Sequence, residues 1–162
     1  MRFGIPGAIR GASILDVSGS TPGFTAVLLE LGAAHVTAIS LGPSPLSPRL
    51  RADPRVVVLE RAQMKTLPAA QAPGPFSFFA VDVRFVSSRT MLRAIAFRLV
   101  PGAHGIVWVR PQFEQRLDLF RDKATKLGFS IVAEAEAAPE DAAVAIHLHR
   151  GAQGGPVGRR SG

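Results

Sequence analysis

From Ala12 to Val109 short apolar runs of strand length recur five times, separated by connections that include helices with a single apolar face. Strands joined in this way become parallel neighbours, because a parallel pair needs a long crossover and the crossover helices then cover both faces of the sheet. The predicted strands are Ala12 to Val17, His35 to Leu41, Arg55 to Glu60, Phe76 to Val83 and Ala103 to Val109. The third holds Val56, Val57, Val58 and Leu59 in succession, the pattern of a strand buried on both faces. Phe129 to Ala137 and Ala142 to Arg150 follow as two further strands, linked by Pro139-Glu140-Asp141 and close enough to pair antiparallel. The expected class is α/β: a Rossmann-like, mostly parallel sheet with a C-terminal antiparallel strand and helices on both faces.

Helix ends are also written into the chain. Thr21 is a good N-cap with Pro22 in the first helical position, after which Phe24, Val27, Leu28 and Leu31 share a face before Gly32 ends the helix. A helix capped by Ser87 or Ser88 carries Leu92, Ile95 and Leu99 and is closed by Pro101-Gly102. In Gln112 to Leu127, Phe113, Leu117, Phe120, Ala124 and Leu127 form one stripe, and Gly128 supplies the stop. Gly42 to Pro54, with four prolines, reads as a loop holding at most a helical turn around Leu46 to Arg51, and Arg61 to Pro75 is an unpatterned connection. This divides the chain into an irregular lead-in at residues 1–11, rich in glycine and proline, one domain at 12–150, and a disordered basic tail at 151–162.

With 162 residues, 47% of them hydrophobic, the chain can build a full core. It has no cysteine, which excludes disulfides, thiolate metal sites and a cysteine nucleophile. The longest apolar runs fall far short of the roughly 18 to 20 residues of a membrane helix, and Met1 to Ser13 has no signal-peptide pattern, so a soluble, cytoplasmic protein is expected. A net charge of +7 points to polyanionic partners, RNA above all, because neutralising phosphates releases counterions. Arginine supplies 16 of the 19 basic residues, a bias that GC-rich coding explains as readily as selection for phosphate binding.

Asp16 to Thr25 is the most informative stretch: an apolar strand stops at small residues and a helix begins at once. Such a junction aims loop amides and a helix N-terminus at the C-terminal edge of a strand, where doubly wound sheets hold cofactors. Asp16 serves either the loop's own hydrogen bonds or a cofactor, and Asp82 either a turn or chemistry. His147 and His149 lie on one strand face without an evident third ligand, so no metal site is expected. Trp108 reads as core and His104 as exposed or bonded in a turn.

Several segments carry a family likeness: Asp16 to Thr25, Arg51 to Arg61, Val81 to Ser87, Val109-Arg110-Pro111-Gln112-Phe113-Glu114 and His147-Leu148. In order and spacing they resemble the haemolysin A-type (TlyA) ribosomal RNA methyltransferases, relatives of the FtsJ 2′-O-methyltransferases, over about residues 12 to 150. The resemblance implies a class I methyltransferase sheet, an S-adenosylmethionine pocket at the C-terminal ends of the first strands, and methyl transfer to an RNA 2′-hydroxyl. It implies cofactor contacts from Asp16, Ser18, Gly19, Ser20, Ser40, Gln63 and Asp82. Family members usually carry an S4-type RNA-binding domain as well, for which this chain has no room, so a separate chain is a possible source of one.

The family's Lys-Asp-Lys-Glu tetrad maps unevenly. Asp82 matches the aspartate, Arg110 stands at the second lysine, Ala143 aligns with the glutamate, and no lysine precedes Lys65. The expected catalytic pair is therefore Asp82 and Arg110. Ser18 and Pro22 replace two loop glycines, and Ser40 stands where an acid would meet the cofactor ribose, changes that count against tight binding. Arg84, Arg89, Arg110 and Arg116 are the RNA-contact candidates, with Arg93 and Arg159-Arg160 adding to a basic lip. Three readings follow: an RNA-binding family member with weakened or lost catalysis, a pseudoenzyme in the limit; an active methyltransferase; or a structural or ribosome-assembly protein using the fold as a scaffold.

Overall fold

A computed structural model describes residues 5–18, 23–40, 43, 46–60, 72, 74–83, 88–110, 117–136 and 143–152. The elements are α1 (Pro6–Ile9), β1 (Ser13–Val17), α2 (Gly23–Glu30), β2 (His35–Ile39), α3 (Pro48–Arg51), β3 (Val56–Leu59), β4 (Phe76–Val83), α4 (Ser88–Ala96), β5 (Leu99–Val109), α5 (Leu117–Lys126), β6 (Phe129–Glu136) and β7 (Val144–Arg150).

Seven strands form one sheet in the order β3-β2-β1-β4-β5-β7-β6. The first five pair in parallel, β7 runs antiparallel to β5, and β6 pairs antiparallel with β7. This is the class I methyltransferase sheet, with one reversed strand inserted near the C-terminal edge.

Alternation of side chains along each strand divides the core in two. Leu15, Val17, Phe79, Val81 and Val107 face Met91, Leu92 and Ile95 of α4 and Phe120 and Ala124 of α5. Their neighbours Ile14, Val36, Ala38, Phe78 and Ala80 face the opposite side, with Leu28 and Leu29 of α2 and with Ile5 and Ile9. Helices therefore cover both faces, as the strand alternation requires.

Four expectations need correction. The lead-in is not wholly irregular: residues 6–9 make a helical turn, and Ile5 and Ile9 enter the core. β3 is not buried on both faces: it is the outermost strand among the described residues, paired with β2, and Val57 is 53% exposed. α2 is rotated from the expected stripe. Thr25, Leu28 and Leu29 are buried at i, i+3 and i+4, whereas Val27 and Leu31 are exposed. Leu99 belongs to β5 rather than to the preceding helix, and Pro101-Gly102 sits inside that strand, where the register between Phe76 and Phe78 of β4 shifts. Gly102 turns the chain there at φ 81°.

The α5 stripe behaves as predicted within the described residues: Phe120 and Ala124 are fully buried and Gly128 follows at φ 87°. At the free edge of the sheet, Arg121 of α5 forms a two-pronged bond to Glu134 of β6, at 2.7 and 2.5 Å.

Candidate functional site

Strand register places the candidate residues in one row. Asp16 pairs with Ala38, Val17 with Val81 and Ile39 with Leu59, so the last paired positions of β1, β2 and β3 stand level with Val81 of β4. One residue further along each strand lie Ser18, Ser40, Glu60 and Asp82. Arg110 follows Val109, whose partner is Val83, and so reaches the same C-terminal edge from β5.

Asp16 is buried beneath this row on the α2 side of the sheet. One carboxylate oxygen accepts a short hydrogen bond from the Ser18 hydroxyl, and the other accepts from Thr25 Oγ1 of α2 at 2.7 Å. Burial raises its pKa, opposed by the two hydroxyls and by the Ser18 backbone amide. Asp16 thus ties the end of β1 to the first turn of α2 across the connecting loop. The rotation of α2 that buries Thr25 makes this possible. Both oxygens are engaged within the protein, which favours the structural role for Asp16 over direct contact with a ligand.

Asp82 and Arg110 form a buried ion pair through Asp82 Oδ1 and Arg110 Nη1, with side chains only 1% and 6% exposed. The two residues expected as a catalytic pair are therefore in contact. Ser40 is buried and its hydroxyl donates to the Pro43 carbonyl at 3.4 Å, while its backbone amide donates to Leu59 O at 2.8 Å. The second bond holds Ser40 beside the start of Glu60. Glu60 is paired with Arg51, which also donates from Nε to the Leu46 carbonyl at 3.3 Å.

Gly19, Ser20, Pro22, Gln63, Arg84, Arg116 and the Pro111 to Glu114 motif lie outside the described residues, as do Arg159 and Arg160. Arg89 falls within α4, its side chain outside the description. Ala143 is buried against the sheet and carries no ionisable group to the edge.

The sequence reading passed over Thr25 and Glu60 and misplaced His104. Thr25 completes the Asp16 clamp, and its signal was a hydroxyl placed in the first turn after a strand ending in aspartate. Glu60 shares the row of Ser18, Ser40 and Asp82, and counting one residue past each strand would have found it. His104 is neither turn-bonded nor isolated: it lies in β5 opposite His149, and its Nδ1 is 3.0 Å from His147 Nε2. Burial lowers the pKa of His104, with a smaller push from His149. Burial likewise lowers that of His147, with smaller contributions from His104 and His149. No set of three or more such side chains among the described residues is disposed to hold a metal ion. Trp108 is only half-buried, its ring 4.4 Å from that of Phe24.

Comparison with known proteins gives these features a context. A family model described as FtsJ-like methyltransferase matches residues 2–135. The 16S/23S rRNA (cytidine-2′-O)-methyltransferase TlyA of Mycobacterium tuberculosis is 42% identical over 107 residues, 66% of this chain and 40% of that protein. A crystal structure of a protein assigned as a hemolysin from Lactococcus lactis superposes with TM-score 0.80 at 27% identity, covering 91% of this chain and 82% of the other. Burkholderia thailandensis 1,6-didemethyltoxoflavin-N1-methyltransferase, solved with S-adenosylhomocysteine, shares the fold at 20% identity and TM-score 0.67, covering 88% and 72%. The chain spans about two fifths of the length of the curated TlyA relatives it matches.

Proposed function

From the premise that the chain belongs to the FtsJ-like methyltransferase family, we propose that it binds ribosomal RNA at the C-terminal edge of its sheet with weakened or lost capacity for methyl transfer. The name of the mycobacterial relative supplies the substrate class, ribosomal RNA, and the acceptor, a cytidine 2′-hydroxyl. The observation that carries the loss of activity is the buried Asp82–Arg110 pair.

A ribose hydroxyl becomes a competent nucleophile when a neighbouring group accepts or relays its proton. Arginine keeps its charge throughout the useful pH range, so Arg110 orients and neutralises but cannot take up that proton. Asp82 is bound to it and shielded from solvent, and Ala143, which the resemblance sets at the family glutamate, has no carboxylate.

The edge nonetheless suits S-adenosylmethionine in its donor set. Ser40 and Glu60 lie two and three strands away from Asp82, about 10 to 15 Å at the usual spacing of about 4.8 Å, on the part of the edge that the buried Asp82–Arg110 pair does not occupy. When bound, that cofactor would supply an electrophilic methyl group. Ser18, Gly19, Ser20 and Gln63 are the remaining candidates for holding it. Arg84, Arg89 and Arg116 are the candidates for RNA contact, whereas Arg110, also expected in that set, is buried against Asp82, and an S4-like domain on a separate chain would add affinity.

Calorimetry with S-adenosylmethionine, followed by methyl transfer to ribosomal RNA, tests this reading. RNA binding with transfer at background level is expected, and robust transfer that disappears in Asp82→Ala would establish an active enzyme instead. Replacing Arg84, Arg89 and Arg116 by alanine should weaken RNA binding and reduce its salt dependence by about one logarithmic unit per lost phosphate contact. An unchanged salt slope would remove these arginines from the interface.

A further inference from the structure

We infer that Glu60 is the acidic residue that accepts hydrogen bonds from the ribose hydroxyls of a nucleoside ligand in this site, in the role that Ser40 cannot fill. This rests on the proposed S-adenosyl reading of the pocket and adds the element that recognises the sugar.

Dinucleotide and related α/β sheets usually place a carboxylate at the end of the second strand for this purpose. Here that position is Ser40, a buried hydroxyl turned toward its own loop at Pro43. Three carboxylates lie at the described ends of β1, β3 and β4. Both oxygens of Asp16 accept hydroxyls from within the protein. Asp82 is buried against Arg110.

Glu60 differs from both. It stands in the same row, one strand over from Ser40, and the Ser40 amide bond to Leu59 O holds the two strand ends together. Its side chain is 38% exposed, so a ligand can reach it. Its described partner, Arg51, is itself 40% exposed, and exposed pairs of this kind are weak and readily exchanged. Arg51 anchors its own side chain on the Leu46 carbonyl, which holds the acid at the sheet edge. An ionised carboxylate accepts from two vicinal hydroxyls at once, and charged acceptors bind hydroxyls more strongly than neutral ones.

The test measures binding of S-adenosylhomocysteine and of its 2′-deoxy analogue to the full chain by calorimetry, with thermal unfolding as a check on folding. Wild type should prefer the ribose form. Glu60→Gln should bind S-adenosylhomocysteine about tenfold or more weakly and lose most of the preference for ribose over deoxyribose. Adding Ser40→Asp to Glu60→Gln should restore part of that preference. A Glu60→Gln protein that folds, binds S-adenosylhomocysteine as tightly as wild type and keeps the full preference overturns the assignment alone. Failure of wild type to bind S-adenosylhomocysteine overturns the cofactor reading together with the assignment.

Discussion

Phe79 and Gly105 are direct partners across β4 and β5, and the phenyl ring fills the space that a side chain at position 105 would occupy. A Cβ built on Gly105 would lie 2.4 Å from three ring carbons, too close for the ring to stay in place. Phe79 is fully buried and also meets Phe129 edge-on at 5.8 Å, so it has little freedom to withdraw. Gly105→Ala should therefore destabilise the fold by about 1–3 kcal/mol, lowering the melting temperature by roughly 2–4 °C per kcal/mol. Adding Phe79→Leu should recover part of the loss in calorimetry. An additive double variant would show that the two sites do not compete for space.

Arg110 neutralises a carboxylate that water barely reaches. Arg110→Ala should cost about 3–5 kcal/mol in chemical denaturation, because it strands a buried charge. The double variant Asp82→Asn with Arg110→Met removes both charges and should be considerably more stable than Arg110→Ala. A loss under about 1 kcal/mol in Arg110→Ala would mean that solvent or another cation compensates Asp82.

Asp16 ties β1 to α2, so its removal should be felt in the loop between them as well as in global stability. Asp16→Ala leaves the Ser18 and Thr25 hydroxyls without their acceptor and should destabilise by about 1–3 kcal/mol. Hydrogen exchange should speed up at the first amides of α2 before it does so in β4. Uniform protection across both elements would contradict the clamp.

The histidines predict how stability varies with pH. In the folded protein the pKa values of His104 and His147 lie below the ordinary histidine value of 6.5, chiefly through burial and secondarily through the neighbouring rings. The unfolded chain therefore binds more protons just below that value, and their contribution is intact above pH 6.5 and lost as pH falls through the lowered folded values. Asp16, with its pKa raised by burial, acts in the opposite sense in the range above the ordinary aspartate value of 3.8. Thermal midpoints at pH 7.5 and 5.5 should fall on acidification, and His104→Gln should reduce the fall by removing one titrating ring. An equal fall in that variant would assign the effect elsewhere.

Much of this architecture was legible because its signals are local. Leu15, Val17, Phe79 and Val81 lie in apolar runs bounded by small residues, and Gly32 and Gly128 mark helix ends by conformational need. What was not legible depends on position within the sheet. Val57 looks identical to Val56 until β3 is known to be an edge, and a proline-glycine pair reads the same whether it ends a helix or opens a bulge in β5. The site divided in the same way. Asp16 and Asp82 were identifiable as carboxylates at strand ends, whereas the Arg110 contact joins residues 28 apart and the His104–His147 contact residues 43 apart. Such pairings arise only when the strand order is set.

The insertion of β7 between β5 and β6 also governs when the sheet can be completed. β6 finds its described partner only in β7, which comes later in the chain, and the slot beside β5 is filled by the same segment. During synthesis, the first five strands can associate while Phe129–Glu136 still waits with no neighbour to pair with. Commitment to the finished sheet therefore comes late, and the stretch between the emergence of Phe129 and of Arg150 is when an apolar strand is most open to capture by another chain.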